Sequence, residues 1–211
     1  MNTLSQTENR DLMTQAREVL KGRWGLAIGA VVIVFLILMG VQIIPEAGGI
    51  VSFVISGPMM VGLLGFCLSI SRKQEVNLAQ VFDGFSKFLV SFAAYALQLI
   101  FVLLWALLLI VPGIIAAISY SMTYFIIAEN ESIGPLQAIT RSKEMMRGNK
   151  WKFVCLNLRL FGWAILCVVT CGLGFLWLFP YLYISFAQFY DDIKPTAEEL
   201  ELTGTGQEIM R

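Results

Sequence analysis

The placement of charge constrains this chain more than any motif does. Its Lys and Arg residues fall in four clusters: Arg10 to Arg23, Arg72 to Lys87, Arg141 to Arg159, and the tail pair Lys194 and Arg211. Between them lie uncharged or nearly uncharged apolar runs, each long enough to leave a membrane and return. Lys and Arg accumulate in cytoplasmic loops. The pattern therefore predicts an all-α polytopic membrane protein, with six transmembrane helices as three hairpins. Both termini are expected in the cytoplasm, with amphipathic helices on the same side. Composition agrees: 14% of residues are charged, against about 25% for a soluble domain.

The run from Trp24 to Pro45 carries no charge. As a helix it would reach about 33 Å, enough for a hydrocarbon core of about 30 Å. Pro45 to Gly49 reads as a turn, and a second span follows over 49–71. Asn77 to Lys87 reads as a short interfacial helix, with Asn77 as N-cap and Phe82 and Phe85 reaching into the headgroup region. The uncharged run from Phe88 to Ala128 would extend roughly 60 Å as one helix, twice the core thickness. It must fold back, and Pro112-Gly113 is the expected place, because proline suits a first helical turn. Spans three and four are then 88–111 and 112–129.

Gly134-Pro135 opens an amphipathic helix over 135–147, stopped by Gly148-Asn149. Spans five and six cover 153–169 and 173–190, joined by a turn from Thr170 to Gly174 and closed by Asp191-Asp192. Residues 1–23 form an amphipathic cytoplasmic lead, 24–193 the membrane domain, and 194–211 a polar tail expected to be disordered. A mostly polar segment precedes the first apolar run, which is read as an uncleaved span rather than a signal peptide.

A weak internal repeat shows in the lead segments. Arg17-Glu18-Val19-Leu20-Lys21-Gly22-Arg23-Trp24 precedes span one, and Lys143-Glu144-Met145-Met146-Arg147-Gly148-Asn149-Lys150-Trp151 precedes span five. Spans two and six each hold an interior proline, Pro58 and Pro180. The pattern fits a parallel repeat about the membrane normal. It equally fits a shared need for a basic lead and an interfacial Trp. In the leads, Leu12, Ala16, Val19 and Leu20 share one helical face, as do Leu136, Ile139 and Met146. Those faces either lie in the interface beside anionic lipid or pack against the bundle.

The residue inventory closes off several chemistries. There is no His, which removes histidine bases and His-ligated metals. The four Cys form no CxxC pair, although Cys167 and Cys171 stand four apart on an expected helix. No carboxylate is expected near a span midpoint. No GxSxG, HExxH or Walker loop is present. The chain is expected not to be an enzyme and to need no cofactor or metal. Net charge is zero, so no basic field draws it to nucleic acid.

Two groups of polar residues remain as candidates. Arg159 sits roughly 9 Å inside span five. With Asn157 it could hold a lipid phosphate or another anion, or it could snorkel to the surface. Arg141, Lys143, Arg147 and Lys150 on the second lead are further candidate lipid contacts. Gln98, Ser119, Tyr120 and Ser121 could line a cavity between the middle spans, or bond across helices and to backbone. Gly25 and Gly29 make a GxxxG step, suited to packing within the bundle or to a homo-oligomer.

The run Pro112-Gly113-Ile114-Ile115-Ala116-Ala117-Ile118-Ser119-Tyr120-Ser121-Met122 is specific. So are Ile127-Ala128-Glu129-Asn130, Ala138-Ile139, Ser142-Lys143-Glu144-Met145-Met146, Gly148-Asn149-Lys150, Gly162-Trp163 and Phe189-Tyr190-Asp191-Asp192. Together, over roughly residues 10 to 193, they resemble the bacterial integral-membrane family known as domain of unknown function 975. Asn157 and Arg159 depart from that family's acidic or small polar pair ahead of Gly-Trp. A more distant similarity links the chain to the membrane domain of glycerophosphodiester phosphodiesterases, which implies a lipid-proximal accessory role and no catalytic residue. The resemblance implies a multi-pass protein of a bacterial cytoplasmic membrane. The expected function is a non-enzymatic, lipid-associated scaffold or accessory protein with anionic headgroups as partners. The alternative is a small transporter or export factor with a cavity between spans three to six.

Overall fold

The structure, a computed structural model, describes residues 4, 5, 7–170, 172 and 174–194. Of the tail expected to be disordered, 194–211, all but Lys194 lies outside the described residues, as does Cys171. The order is α1 (Asn9–Leu20), α2 (Trp24–Val41), α3 (Gly48–Ser71), a 3-10 segment (Leu78–Lys87), α4 (Phe88–Leu108), α5 (Ile110–Ser119), α6 (Thr123–Glu129), α7 (Pro135–Met145), α8 (Lys150–Val169) and α9 (Phe175–Ile193). Among the described residues there is no strand.

Five segments are long and apolar enough to cross a membrane: Trp24–Val41, Gly48–Ser71, Leu78–Leu108, Ile110–Glu129 and Lys150–Val169. The chain is an all-helical, multi-pass membrane protein. The sixth expected span, α9, is not among the five. Tyr181, Tyr183, Gln188, Tyr190 and the Asp191-Asp192 pair lower its hydropathy. It touches α1, α2, α3 and α8, and a helix enclosed by protein needs no all-round apolar surface. α9 also runs to Ile193, three residues past the expected end. Acidic residues in a last turn oppose the helix dipole. Here Asp191 is held by Arg72 and Asp192 by Lys152.

Other boundaries shift for local reasons. The chain leaves α2 at Val41 and turns through Glu46, whose φ is 63°. The 88–128 run reverses at Leu109, an extended residue three positions before Pro112. Pro112 then sits in the first turn of α5, where its missing N–H is harmless. Gly113 allows the two arms to meet, since a Cβ there would lie 2.8 Å from the Ala106 Cα.

Asn77 caps the 3-10 segment as expected, its Oδ1 accepting from the Ala79 N–H at 3.2 Å. Phe82 and Phe85 are exposed. They begin an aromatic stripe that continues through Phe88 and Phe92 to Phe53. The opposite side of the segment lies against α3 backbone to backbone. A Cβ on Gly62 would stand 1.8 Å from the Val81 carbonyl oxygen, and one on Gly84 2.0 Å from that of Pro58. These glycines, with Gly57 against Ser91, make the close contacts. The GxxxG step does not: a Cβ on Gly25 would meet nothing within 4 Å, and one on Gly29 only the Leu78 side chain.

The expected fourth span is two helices. α5 ends at Ser119, Tyr120 to Met122 form a turn, and α6 starts at Thr123. Side-chain hydroxyls compete for helical carbonyls here: Ser119 donates to Ile115, Ser121 to Ile118 and Thr123 to Tyr120.

The two lead helices match in burial. Leu12, Met13, Ala16, Val19 and Leu20 are the buried residues of α1. Ala138, Ile139, Ser142, Met145 and Met146 are buried in and just after α7. Each falls at the same spacing from its counterpart, as do Gly22 and Gly148, with φ of 81° and 87°. Leu136, expected to share one face with Ile139 and Met146, is exposed while those two are buried. Both faces pack into protein, α1 on α9, α3 and α8, α7 on α4, α5 and α6.

Candidate functional site

The ends of α3, α6 and α9 converge on Glu129. Arg72, one residue past α3, reaches its Oε1 at 2.8 Å, and Lys194, one residue past α9, reaches the same oxygen at 2.5 Å. The Tyr190 hydroxyl donates to Oε2 at 2.7 Å. Arg72 also binds Asp191 at 2.6 Å. Burial works against the Arg72 charge, but Asp191 and Glu129 outweigh it and hold its pKa above the ordinary value. Arg72 stays cationic, and the cluster acts as a fixed clasp.

A second cluster joins the N-terminal segment to α8 and α9. Lys152 lies 3.7 Å from Asp192, and the Ser5 and Thr7 hydroxyls donate to the same carboxylate. The Asn9 side chain donates to the Lys152 carbonyl at 3.0 Å. Past the other end of α1, Arg23 donates to the Gln74 and Lys73 carbonyls. Lys87 donates to the carbonyls of Ile127, Ala128 and Asn130, which satisfies the open end of α6. Arg23 thus joins the first cluster to the second, Glu129 joins Arg72 of the second to Lys194 of the fourth, and Lys152 of the third is held to the N-terminal segment and Asp192.

Between α3, the 3-10 segment and the end of α6 lies a cavity of about 310 Å³. Gln80, Asp83, Ser86, Lys87 and Glu131 give it a polar wall, and Gly62 and Gly65 its floor. The Gln80 Oε1 is buried without a hydrogen-bond partner. The sequence signal for this site was weak, because its polar residues come from the loop-like 77–87 segment and a distant helix end.

The predicted cavity residues lie elsewhere. Ser119 and Tyr120 are buried, Ser121 is half-buried, and Tyr120 packs on Phe101 at 6.2 Å. Gln98 has a buried Oε1 without a partner. At the break between α5 and α6 the decisive residue is Ser142 of α7. Its hydroxyl donates to the Ser119 carbonyl at 2.9 Å and accepts from the Met122 N–H at 3.2 Å. It thereby replaces bonds that an unbroken helix would make.

The predicted lipid-contact residues divide. Asn157 spends its amide on the Phe153 carbonyl one turn back. Arg159 and Lys143 are exposed, Arg141 and Lys150 half-buried, and none of these four has an ion pair among the described residues. Arg147 is exposed. Cys67, Cys155 and Cys167 are free thiols. Among the described residues no three Asp, Glu or Cys side chains gather to hold a metal ion.

A family model described as protein of unknown function (DUF975) matches residues 1–119 and 107–197. The chain belongs to this family. The match runs from the first lead through α9, so the Glu129 clasp and the Ser142 bridge both fall within the DUF975 region. No curated protein and no solved structure matches the chain. The likeness to the membrane domain of glycerophosphodiester phosphodiesterases finds no support in these comparisons.

Proposed function

We propose that this DUF975 protein is a non-enzymatic, lipid-associated scaffold or accessory protein of a bacterial cytoplasmic membrane. In this reading α9 is the sixth span, and both termini and all four cation clusters face the cytoplasm. The supporting observation is the state of the two lead helices. Their apolar faces are consumed by packing, while Arg10, Arg17, Lys21, Arg141 and Lys143 have no ion pair among the described residues. Fixed cations at the level of the headgroups attract anionic lipid by about 1 kcal/mol each. Changing Arg141, Lys143, Arg147 and Lys150 to Gln should reduce the phosphatidylglycerol that co-purifies with the protein. Unchanged lipid content would refute the reading. A reporter fused after Arg211 must be active only on the cytoplasmic side.

A second reading, a small transporter or export factor, draws on the interrupted α5–α6 span, since broken helices line transport sites. It requires Cys at Gln98, Ser119 and Ser121 to react with a water-soluble thiol reagent; inert positions would exclude it.

A further inference from the structure

We infer that Arg17 of α1 and Arg159 of α8 form one binding site for a phosphate group, in the groove where α1 crosses α8 and α9. The inference rests on the lipid-associated reading and names the place where a headgroup would be gripped.

The two helices both pack on α9 and are tied to each other at one point. Asn9 is bonded to the Lys152 carbonyl, and Lys152 in turn donates to the Ser5 carbonyl at 2.9 Å. From that point Arg17 lies eight residues along α1 and Arg159 seven along α8, roughly 12 and 10 Å at helical rise. Seven residues are close to two turns, so Arg159 shares the face of Lys152, whereas Arg17, at eight, is turned roughly 80° from Asn9. Tyr181 closes the third side. Its hydroxyl donates to the Met13 carbonyl at 3.0 Å, one turn before Arg17. The antiparallel pairing of α8 and α9, with Phe153 on Phe186 and Phe189 and Gly174 on Cys167, brings Arg159 level with Tyr181.

What makes the arrangement a site is the missing counter-ion. Every carboxylate in an ion pair at this end of the bundle belongs to the Glu129 clasp or to Lys152. Among the described residues neither Arg17 nor Arg159 has an ion pair or side-chain hydrogen bond, and both are exposed. Two like charges brought together from different elements repel, at a cost that an anion between them removes. Guanidinium pairs suit a tetrahedral phosphate, whose oxygens accept two bonds from each fork. Arg159 lies about two turns further along α8 than Lys152, a distance that its side chain can span to reach a headgroup phosphate. Tyr181 is a positioning residue: it holds α1 in place.

The test uses the full chain in nanodiscs of phosphatidylcholine, with phosphatidylglycerol titrated in and bound lipid counted by native mass spectrometry. Arg17→Gln and Arg159→Gln should each weaken phosphatidylglycerol binding roughly tenfold. The double variant should lose little more than either single one, because one grip is already broken. Independent, additive losses, or no loss, would overturn the shared site. A parallel arm adds inorganic phosphate without anionic lipid. Saturable protection by phosphate, lost in both variants, would support the phosphate site but refute a lipid as its occupant. The Arg141, Lys143, Arg147 and Lys150 variants run alongside. If they lower lipid content while the Arg17 and Arg159 variants do not, this site fails and the broader reading stands.

Discussion

The Ser142 bridge makes the sharpest quantitative prediction. Ser142→Ala removes the side chain that satisfies both the Ser119 carbonyl and the Met122 N–H. Ser142 and Met122 are fully buried and Ser119 is 4% exposed, so water cannot take over. A buried polar group left without a partner costs about 1–3 kcal/mol. Interhelical hydrogen bonds in membrane proteins average only about 0.6 kcal/mol, because freed groups find other partners. The geometry decides between these figures. Met122 could recover an i→i−4 bond only if residues 119–122 rewound, and that would displace the Tyr120 ring from Phe101 and Ile139. We expect a loss of about 2 kcal/mol. Ser119→Ala is the control: its hydroxyl bonds only back to Ile115, one turn away on its own helix, so its loss should stay under about 0.5 kcal/mol. Reversible unfolding in mixed micelles, followed by tryptophan fluorescence, measures both. If Ser142→Ala costs no more than Ser119→Ala, the break is not held by α7 and the bridge is incidental.

Glu129→Gln keeps the shape but takes the charge from three partners. The group is 19% exposed, so partial screening applies, and we expect about 2 kcal/mol lost in the same unfolding assay; a neutral variant would show that the clasp carries no energy. Gly62→Ala should abolish or severely destabilise folding, because its Cβ would meet the Val81 carbonyl, whereas Gly25→Ala should be silent. Expression and size-exclusion profiles of the pair test this directly. Gly22→Ala places a side chain on a left-handed backbone in otherwise open space. It should cost about 1 kcal/mol, measured by the shift in unfolding midpoint.

The long elements were legible because their signal is physical and local. Uncharged length predicts a membrane-crossing helix, and five such segments are present. The turn near Pro112 was legible for the same reason: one helix of that length would overshoot the bilayer. The split at Tyr120 was not. Nothing in Ile114 to Thr123 breaks a helix by propensity, and the partner that makes the split tolerable, Ser142, lies on another element. The clasp was half legible. Glu129, Asp191 and Lys194 were visible as end-of-span charges, but that Arg72 and Lys194 share one carboxylate oxygen depends on how three helix ends meet. The 3-10 segment was seen as interfacial from its aromatic residues, yet its buried side is defined by glycines, which leave no hydrophobic pattern to read.

The repeated lead deserves a mechanical reading rather than a genealogical one. Five buried positions and a left-handed glycine recur in α1 and α7 at one spacing, and both feed a long apolar helix. Downstream, Pro58 and Pro180 stand equally far from the cations Arg72 and Lys194, and those two cations meet on Glu129. Yet the two leads dock differently: α1 on α9, α7 on the interrupted middle hairpin. One position explains the divergence. Ala16 of α1 corresponds to Ser142 of α7. An alanine there offers only packing, and α1 lies against the uninterrupted helices α9, α3 and α8. A serine offers a donor and an acceptor, and α7 lies where a helix is broken and needs both. Ala16→Ser should therefore be close to neutral only if its hydroxyl can turn back to the Leu12 carbonyl. Ser142→Ala has no such escape, and the same pair of atoms thus distinguishes a lead that packs from one that holds a helix open.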